Sequence, residues 1–262
     1  MENFINKTFC MDNLELLKQI PSESIDLIYS DILYATGRKF EDYQDLAYNR
    51  KEVDEFYNPR IKEIQRILKP SGTMVLQMDY RIDHWIRCIA DEYFGYKNCT
   101  NIIQWCYSSG GASKKKLSVK NDTLIVYAKD NKKQKFNFMK EKSYNRDYKP
   151  YRFKGVEEFQ DEYGLWYTMV GMKQVWTDIP MVGRTSGERV DYSTQKPLKL
   201  TNRIIELYSD EGDIVIDLFC GSGGFLVSAK NLNRNYIGCD INTKAIEITE
   251  KRLEEINKIV DK

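Results

Sequence analysis

A single histidine is all that the 262-residue chain offers, and that scarcity removes whole classes of chemistry. A histidine-based metal site needs several imidazoles, and a serine-histidine triad needs one beside its nucleophile. His84, in the helical pattern YRIDHWIRCIADEYF, reads as a half-buried helix residue. The six cysteines (Cys10, Cys88, Cys99, Cys106, Cys220 and Cys239) include no C-x-x-C pair, so neither a zinc knuckle nor a disulfide framework is expected. Reduced thiols and no metal are the expectation. Long apolar runs are missing too: IVIDLF is far too short to cross a bilayer, and MENFINKTF lacks the basic flank and apolar stretch of a signal peptide. A soluble, cytoplasmic protein without membrane contact follows.

What the chain does have is bulk and an uneven charge. With 42% hydrophobic and 30% charged residues it can bury a substantial core, as one large domain or one domain with an insert. The net charge of +1 hides a basic segment: residues 114–154 carry 14 Lys/Arg against 4 Asp/Glu, leaving 26 against 35 elsewhere. Clustered Lys and Arg suit a polyanion, because binding releases counterions from a phosphate backbone, although charge runs are also ordinary solvated surface.

Periodicity sorts the N-terminal part into alternating elements. MDNLELLKQI reads as a helix, IDLIYS as a strand, and residues 49–68 as a helical region interrupted at Pro59. Lys69-Pro70-Ser71-Gly72 reads as a turn before the strand TMVLQM, followed by a helix over 81–94 and the strands NIIQWCY and TLIVYA. Between about 108 and 190 the pattern breaks into a basic, aromatic stretch with Tyr144, Tyr148, Tyr151, Phe153, Phe159, Tyr163, Trp166 and Tyr167, most of them expected to form the small core of an insert. Alternation then resumes: a helix from Pro197 to Tyr208, the strand IVIDLF, a glycine loop into FLVSAKNLN, the strand NYIGCD and a last helix over 243–259. No repeat or low-complexity linker is visible. The expectation is an α/β, Rossmann-like fold: a mostly parallel sheet with helices on both faces, formed by 1–107 and 191–262, with 108–190 as an irregular insert.

The stretch Asp217-Leu218-Phe219-Cys220-Gly221-Ser222-Gly223-Gly224 joins a strand to a helix, where glycines let a ligand approach the backbone and the helix start offers free N–H groups. A dinucleotide fingerprint would need a third glycine at 226, and Leu226 stands there, so NAD is disfavoured. Nineteen residues after Gly221, Asp240 ends a strand, the place for a carboxylate that accepts ribose hydroxyls. The pair points to a nucleoside cofactor.

DLFCGSGG, the aspartate of YIGCDIN, the segment YSTQKPLKL and the corner SDILY together resemble the amino-group DNA methyltransferases that use S-adenosylmethionine. The order is similar to the β-class of that family, with the target corner first, the basic segment next and the cofactor loop last. Likeness extends from about Phe9 to Leu253 and is weakest in the insert. YSTQKP departs from the family's Tyr-Pro-Thr-Gln-Lys-Pro only at Ser193.

The resemblance implies a methyl transfer to adenine N6 of a flipped base in double-stranded DNA. Catalytic roles fall to Asp31, Ile32, Leu33 and Tyr34: the Asp31 carboxylate and the Ile32 carbonyl accept the amino hydrogens, and the Tyr34 ring stacks on the base. The family corner is Asp-Pro-Pro-Tyr or Phe, so both prolines are replaced here, which weakens preorganisation while keeping the carbonyl. Cofactor contacts fall to Asp12, Asp31, Thr194, Lys196, Asp217, Phe219, Gly221, Ser222, Gly223, Asp240 and Ile241. Read from the residues alone, Asp12 is equally an N-cap of LELLKQI, and Thr194 an N-cap with Pro197 in the first turn. Arg38 and Lys39, in the loop running to Phe40, and Lys114, Lys115 and Lys116 are the DNA-binding candidates. An aspartate at the head of the corner favours adenine over cytosine N4, but Ser30 directly before it leaves a serine-headed register SDIL open. A cytosine-N4 enzyme, a catalytically weak DNA-binding relative and an RNA or small-molecule methyltransferase are the alternatives. A bacterial or phage origin, a restriction endonuclease partner and a homodimer complete what the resemblance implies.

Overall fold

The computed structural model describes residues 1–39, 44–108, 111, 114–183, 186–190, 192 and 194–260. Phe40 and Ser193 lie outside the described residues. Alternating elements build one eight-stranded sheet: β1 (Lys7–Cys10), α1 (Asn13–Gln19), β2 (Ile25–Asp31), α2 (Arg50–Ile67), β3 (Leu68–Met78), α3 (Asp83–Phe94), β4 (Cys99–Cys106) and β5 (Asn121–Ala128). A separate three-stranded sheet follows, with β6 (Lys140–Tyr144), β7 (Glu158–Gln160) and β8 (Trp166–Gly171). The chain returns through β9 (Val175–Trp176), α4 (Leu198–Tyr208), β10 (Ile214–Asp217), α5 (Gly224–Asn231), β11 (Asn235–Asp240) and α6 (Thr243–Val260).

Strand order in the large sheet is β1-β11-β10-β2-β3-β5-β4-β9, parallel throughout except where β5 runs against both β3 and β4. Each central strand is apolar on both faces, as a sheet covered on both sides requires. In β3, Met74, Leu76 and Met78 pack with α1, α2 and α3, while Val75 packs with α4, α5 and α6 on the other side. The same alternation divides Ile125 and Tyr127 from Leu124 and Val126 in β5. The layering is helix, sheet, helix, as the sequence predicts.

Five details differ from the sequence reading. Pro59 does not interrupt its helix, because α2 runs through it. Lys69-Pro70-Ser71-Gly72 is no turn but a bulge inside β3: Leu68 pairs with Ile25 and Thr73 with Leu27, leaving the extra residues to loop out. β5 lies within 108–190 yet sits between β3 and β4 in the large sheet, so the small sheet of 140–171 is the part that stands apart. Tyr144, Tyr148, Tyr151, Phe153 and Tyr163 are exposed and form no core for it; the first four pack ring to ring, as in Tyr144–Tyr148 at 5.7 Å and Tyr151–Phe153 at 5.4 Å. His84 is exposed on α3, and all six cysteines are free thiols. Among the described residues no helix is long and apolar enough to cross a membrane.

Candidate active site

Parallel strands β2, β10 and β11 end side by side, and a cavity of about 500 Å³ opens at those carboxyl ends, where open α/β sheets bind ligands. Its walls come from both ends of the chain: Asp31 to Tyr34 from the end of β2, and Leu218 to Ser222 from the loop between β10 and α5. Asp12, Thr194, Lys196, Asp217, Asp240 and Ile241 line it as well. Of the cofactor candidates only Gly223 does not. Its φ is +74°, and a Cβ there would lie 2.6 Å from Thr249 of α6, so this glycine serves a tight helix start rather than the cavity.

The glycine loop is drawn together by Asp240, which accepts from Gly221 N at 2.9 Å and from Asn242 N at 2.9 Å. Gly221, at φ +49°, lies so close to Tyr192 that a Cβ would meet its ring at 3.0 Å. Tyr192, the first residue of YSTQKP, thus closes the loop from outside. Thr194 caps nothing: α4 starts at Leu198 with Pro197 in the cap position, and Leu198 N donates to Glu188 Oε2 at 3.0 Å. Asp12 does cap α1, accepting from Leu14 N at 2.8 Å, and its other oxygen accepts from Arg60 Nη2 at 2.6 Å.

At the corner, hydrogen bonds stand where the family has prolines. Ile32 N donates to Gln77 O at 3.1 Å, and Leu33 O accepts from Tyr57 Oη at 3.0 Å. The next residues are held by Asp45, whose carboxylate takes Ala35 N at 3.0 Å, Thr36 N at 2.7 Å and Leu46 N at 2.8 Å. Ser30 is fully buried and turned away, with its hydroxyl on Tyr29 O and Leu218 N. Asp31 lines the cavity, and Ser30 does not.

Asp31 Oδ2 is ion-paired with Lys196 Nζ, and Asp31 Oδ1 accepts from Tyr34 Oη at 2.6 Å. Burial raises the Asp31 pKa, an effect that the Lys196 ammonium partly offsets. Lys196 also lies 5.6 Å from the Tyr34 ring centre. Burial pushes Asp217 up to about 8 despite the bonds it accepts from Phe219 N and Ser30. Among the described residues four other aspartates, Asp12, Asp31, Asp45 and Asp240, and one lysine line the cavity, a balance that favours a cationic ligand.

The DNA methylase family profile, of the N6 and N4 type, matches residues 25–251. The chain belongs to the amino-group DNA methyltransferases. It is similar to the type II methyltransferase M.HpaI of Haemophilus parainfluenzae, at 31% identity over 95% of this chain and 74% of that one. The DNA adenine methyltransferase YhdJ of Escherichia coli strain K12 shares 30% identity over 93% of this chain and 81% of that one. The crystal structure of the M1.HpyAVI-SAM complex superposes with a TM-score of 0.57 at 21% identity, covering 94% of this chain and 98% of that chain.

As a member of this family the chain is an S-adenosylmethionine-dependent DNA methyltransferase. The site fits that donor, which brings an activated methyl on a sulfonium cation to an acid-lined cavity of suitable volume. Two cavity-lining residues, Asp45 and Phe56, carry no motif of their own, and neither do Arg60 and Asp122, which lie outside the cavity and hydrogen-bond Asp12 and Tyr34. The one signal for Asp122 is its type, an aspartate just before the apolar run LIVYA of β5. The DNA-binding candidates Arg38, Lys39, Lys114, Lys115 and Lys116 are all exposed and outside the cavity.

Proposed function

We propose that the chain methylates adenine N6 of a base flipped out of double-stranded DNA. The observation that carries this reading is the single cavity shared by the Asp31 corner and the Gly221 loop. In this reading Asp240 holds the ribose, Asp12, Phe219 and Ile241 the adenine end, and Thr194, Lys196 and Asp217 the methionine end of the donor, with Gly221 and Ser222 as the backbone wall. Asp31 and the Ile32 carbonyl accept the hydrogens of the target amine, orienting its nitrogen for in-line attack, with Leu33 setting the turn and Tyr34 stacking on the base. An acidic corner and the adenine-directed relative both favour adenine over cytosine N4.

DNA contact falls to Arg38 and Lys39 beside the cavity and to Lys114, Lys115 and Lys116, with the exposed aromatics of the small sheet available for stacking. The type II name of M.HpaI favours a restriction endonuclease as genetic partner. Tritiated S-adenosylmethionine and mixed-sequence DNA test the reading, with the modified nucleoside identified after digestion. N6-methyladenine is expected. N4-methylcytosine would transfer the assignment to cytosine, and absence of transfer to any DNA would leave a binding protein.

A further inference from the structure

Tyr34 has one hydroxyl proton and two carboxylates within reach, Asp31 Oδ1 at 2.6 Å and Asp122 Oδ2 at 2.9 Å. A phenol donates a single hydrogen bond, so the two carboxylates compete for it. Asp122 lies on β5, is only 4% exposed and does not line the cavity. It is held as an acceptor by Tyr107 Oη at 3.0 Å on Oδ1 and by Gln77 Nε2 at 2.8 Å on Oδ2. Gln77 is oriented in turn by Tyr29, whose hydroxyl donates to Gln77 Oε1 at 2.8 Å. A buried carboxylate with its own donors, aimed at the aromatic residue of the corner, is costly to keep unless it does something there.

Asp31 is the group that must accept an amino hydrogen, and both of its oxygens are engaged, Oδ2 by Lys196 and Oδ1 by Tyr34. Each donor it keeps makes it a poorer acceptor for the next. We propose that Asp122 is a positioning residue that takes over the Tyr34 hydroxyl when the target base enters, leaving Asp31 Oδ1 to the amine. The exchange requires only rotation of the O–H about the Cζ–O bond: one hydrogen bond breaks, one forms, and no proton leaves Tyr34. Two acceptors on one phenol also fix its ring, whichever holds the hydrogen. This inference rests on the role given to Asp31 under the proposed function.

A double-mutant cycle tests it. Asp122→Asn is expected to lower kcat about tenfold or more, the loss of a charged acceptor, with cofactor Kd within a few-fold of wild type. Tyr34→Phe, which keeps the ring and frees Asp31, is expected to lose less. Adding Asp122→Asn to Tyr34→Phe should cost nothing further, because Asp122 acts through the hydroxyl. Losses that multiply, or an Asp122→Asn enzyme with wild-type kcat, would overturn the proposal. If Asp122→Asn does not fold, as judged by melting and cofactor binding, Asp122→Thr carries the same cycle, since a β-branched residue suits a strand. Wild-type protein that transfers no methyl group overturns the proposed function and this inference together, whereas an active wild type with multiplying losses overturns this inference alone.

Discussion

Lys196 and Asp31 form an ion pair across 165 residues of chain, joining the segment before α4 to the end of β2. Both side chains are little exposed, so removing one strands the other as a buried charge. Asp31→Ala is expected to lower kcat by roughly 10²–10³-fold and stability by about 3 kcal/mol. Asp31→Ala with Lys196→Met should recover most of the stability and none of the activity. Melting curves and label transfer on the two variants check this; activity that returns along with stability would contradict a chemical role for Asp31.

The corner without prolines gives a less obvious expectation. Ile32 N donates to Gln77 O, a bond that proline cannot make. Ile32→Pro, although it restores a family residue, should therefore destabilise the chain by about 1–3 kcal/mol and leave kcat no higher. A variant that melts later and turns over faster would mean that packing, rather than this hydrogen bond, holds the corner.

Asp217 sets a pH dependence whose sign can be worked out. Burial raises its pKa from 3.8 to about 8, so between those values the folded chain holds a proton that the unfolded chain has released. Its contribution to stability is full below the lower value and is lost as pH rises through the higher one. The wild-type Tm should fall relative to that of Asp217→Asn between pH 5 and 8 or so. Parallel curves for the two proteins would show that Asp217 is ionised throughout.

Asp240 joins the loop backbone to the cavity. Asp240→Ala should weaken cofactor binding at least tenfold, the scale of a charged hydrogen bond, and leave DNA affinity nearly unchanged. Calorimetry with each ligand separately decides it, and equal losses would count against a cofactor role.

The two halves of the site differ in how far the sequence discloses them. Gly221 and Asp240 stand out by their spacing, a glycine loop followed nineteen residues later by a strand-end carboxylate, and Asp31 stands out through the resemblance of its corner to the family motif. Gly223 shares the loop but answers to Thr249 on α6, a neighbour that no spacing rule supplies. Asp122 and Arg60 are single charges in a strand and a helix, and their partners, Tyr34 and Asp12, lie 88 and 48 residues away. β5 shows the same limit at the level of topology: an apolar run identifies a strand, but its place between β3 and β4 is fixed by pairing across the sheet.

Hydrogen exchange on adding S-adenosylmethionine to the free protein tests most directly whether the distant chain ends make one site. Protection is expected together at residues 11–13, 31–36, 218–224 and 240–242, with the small sheet of 140–171 unchanged. Protection confined to the glycine loop and the end of β11, with the Asp31 corner exchanging as before, would contradict the account.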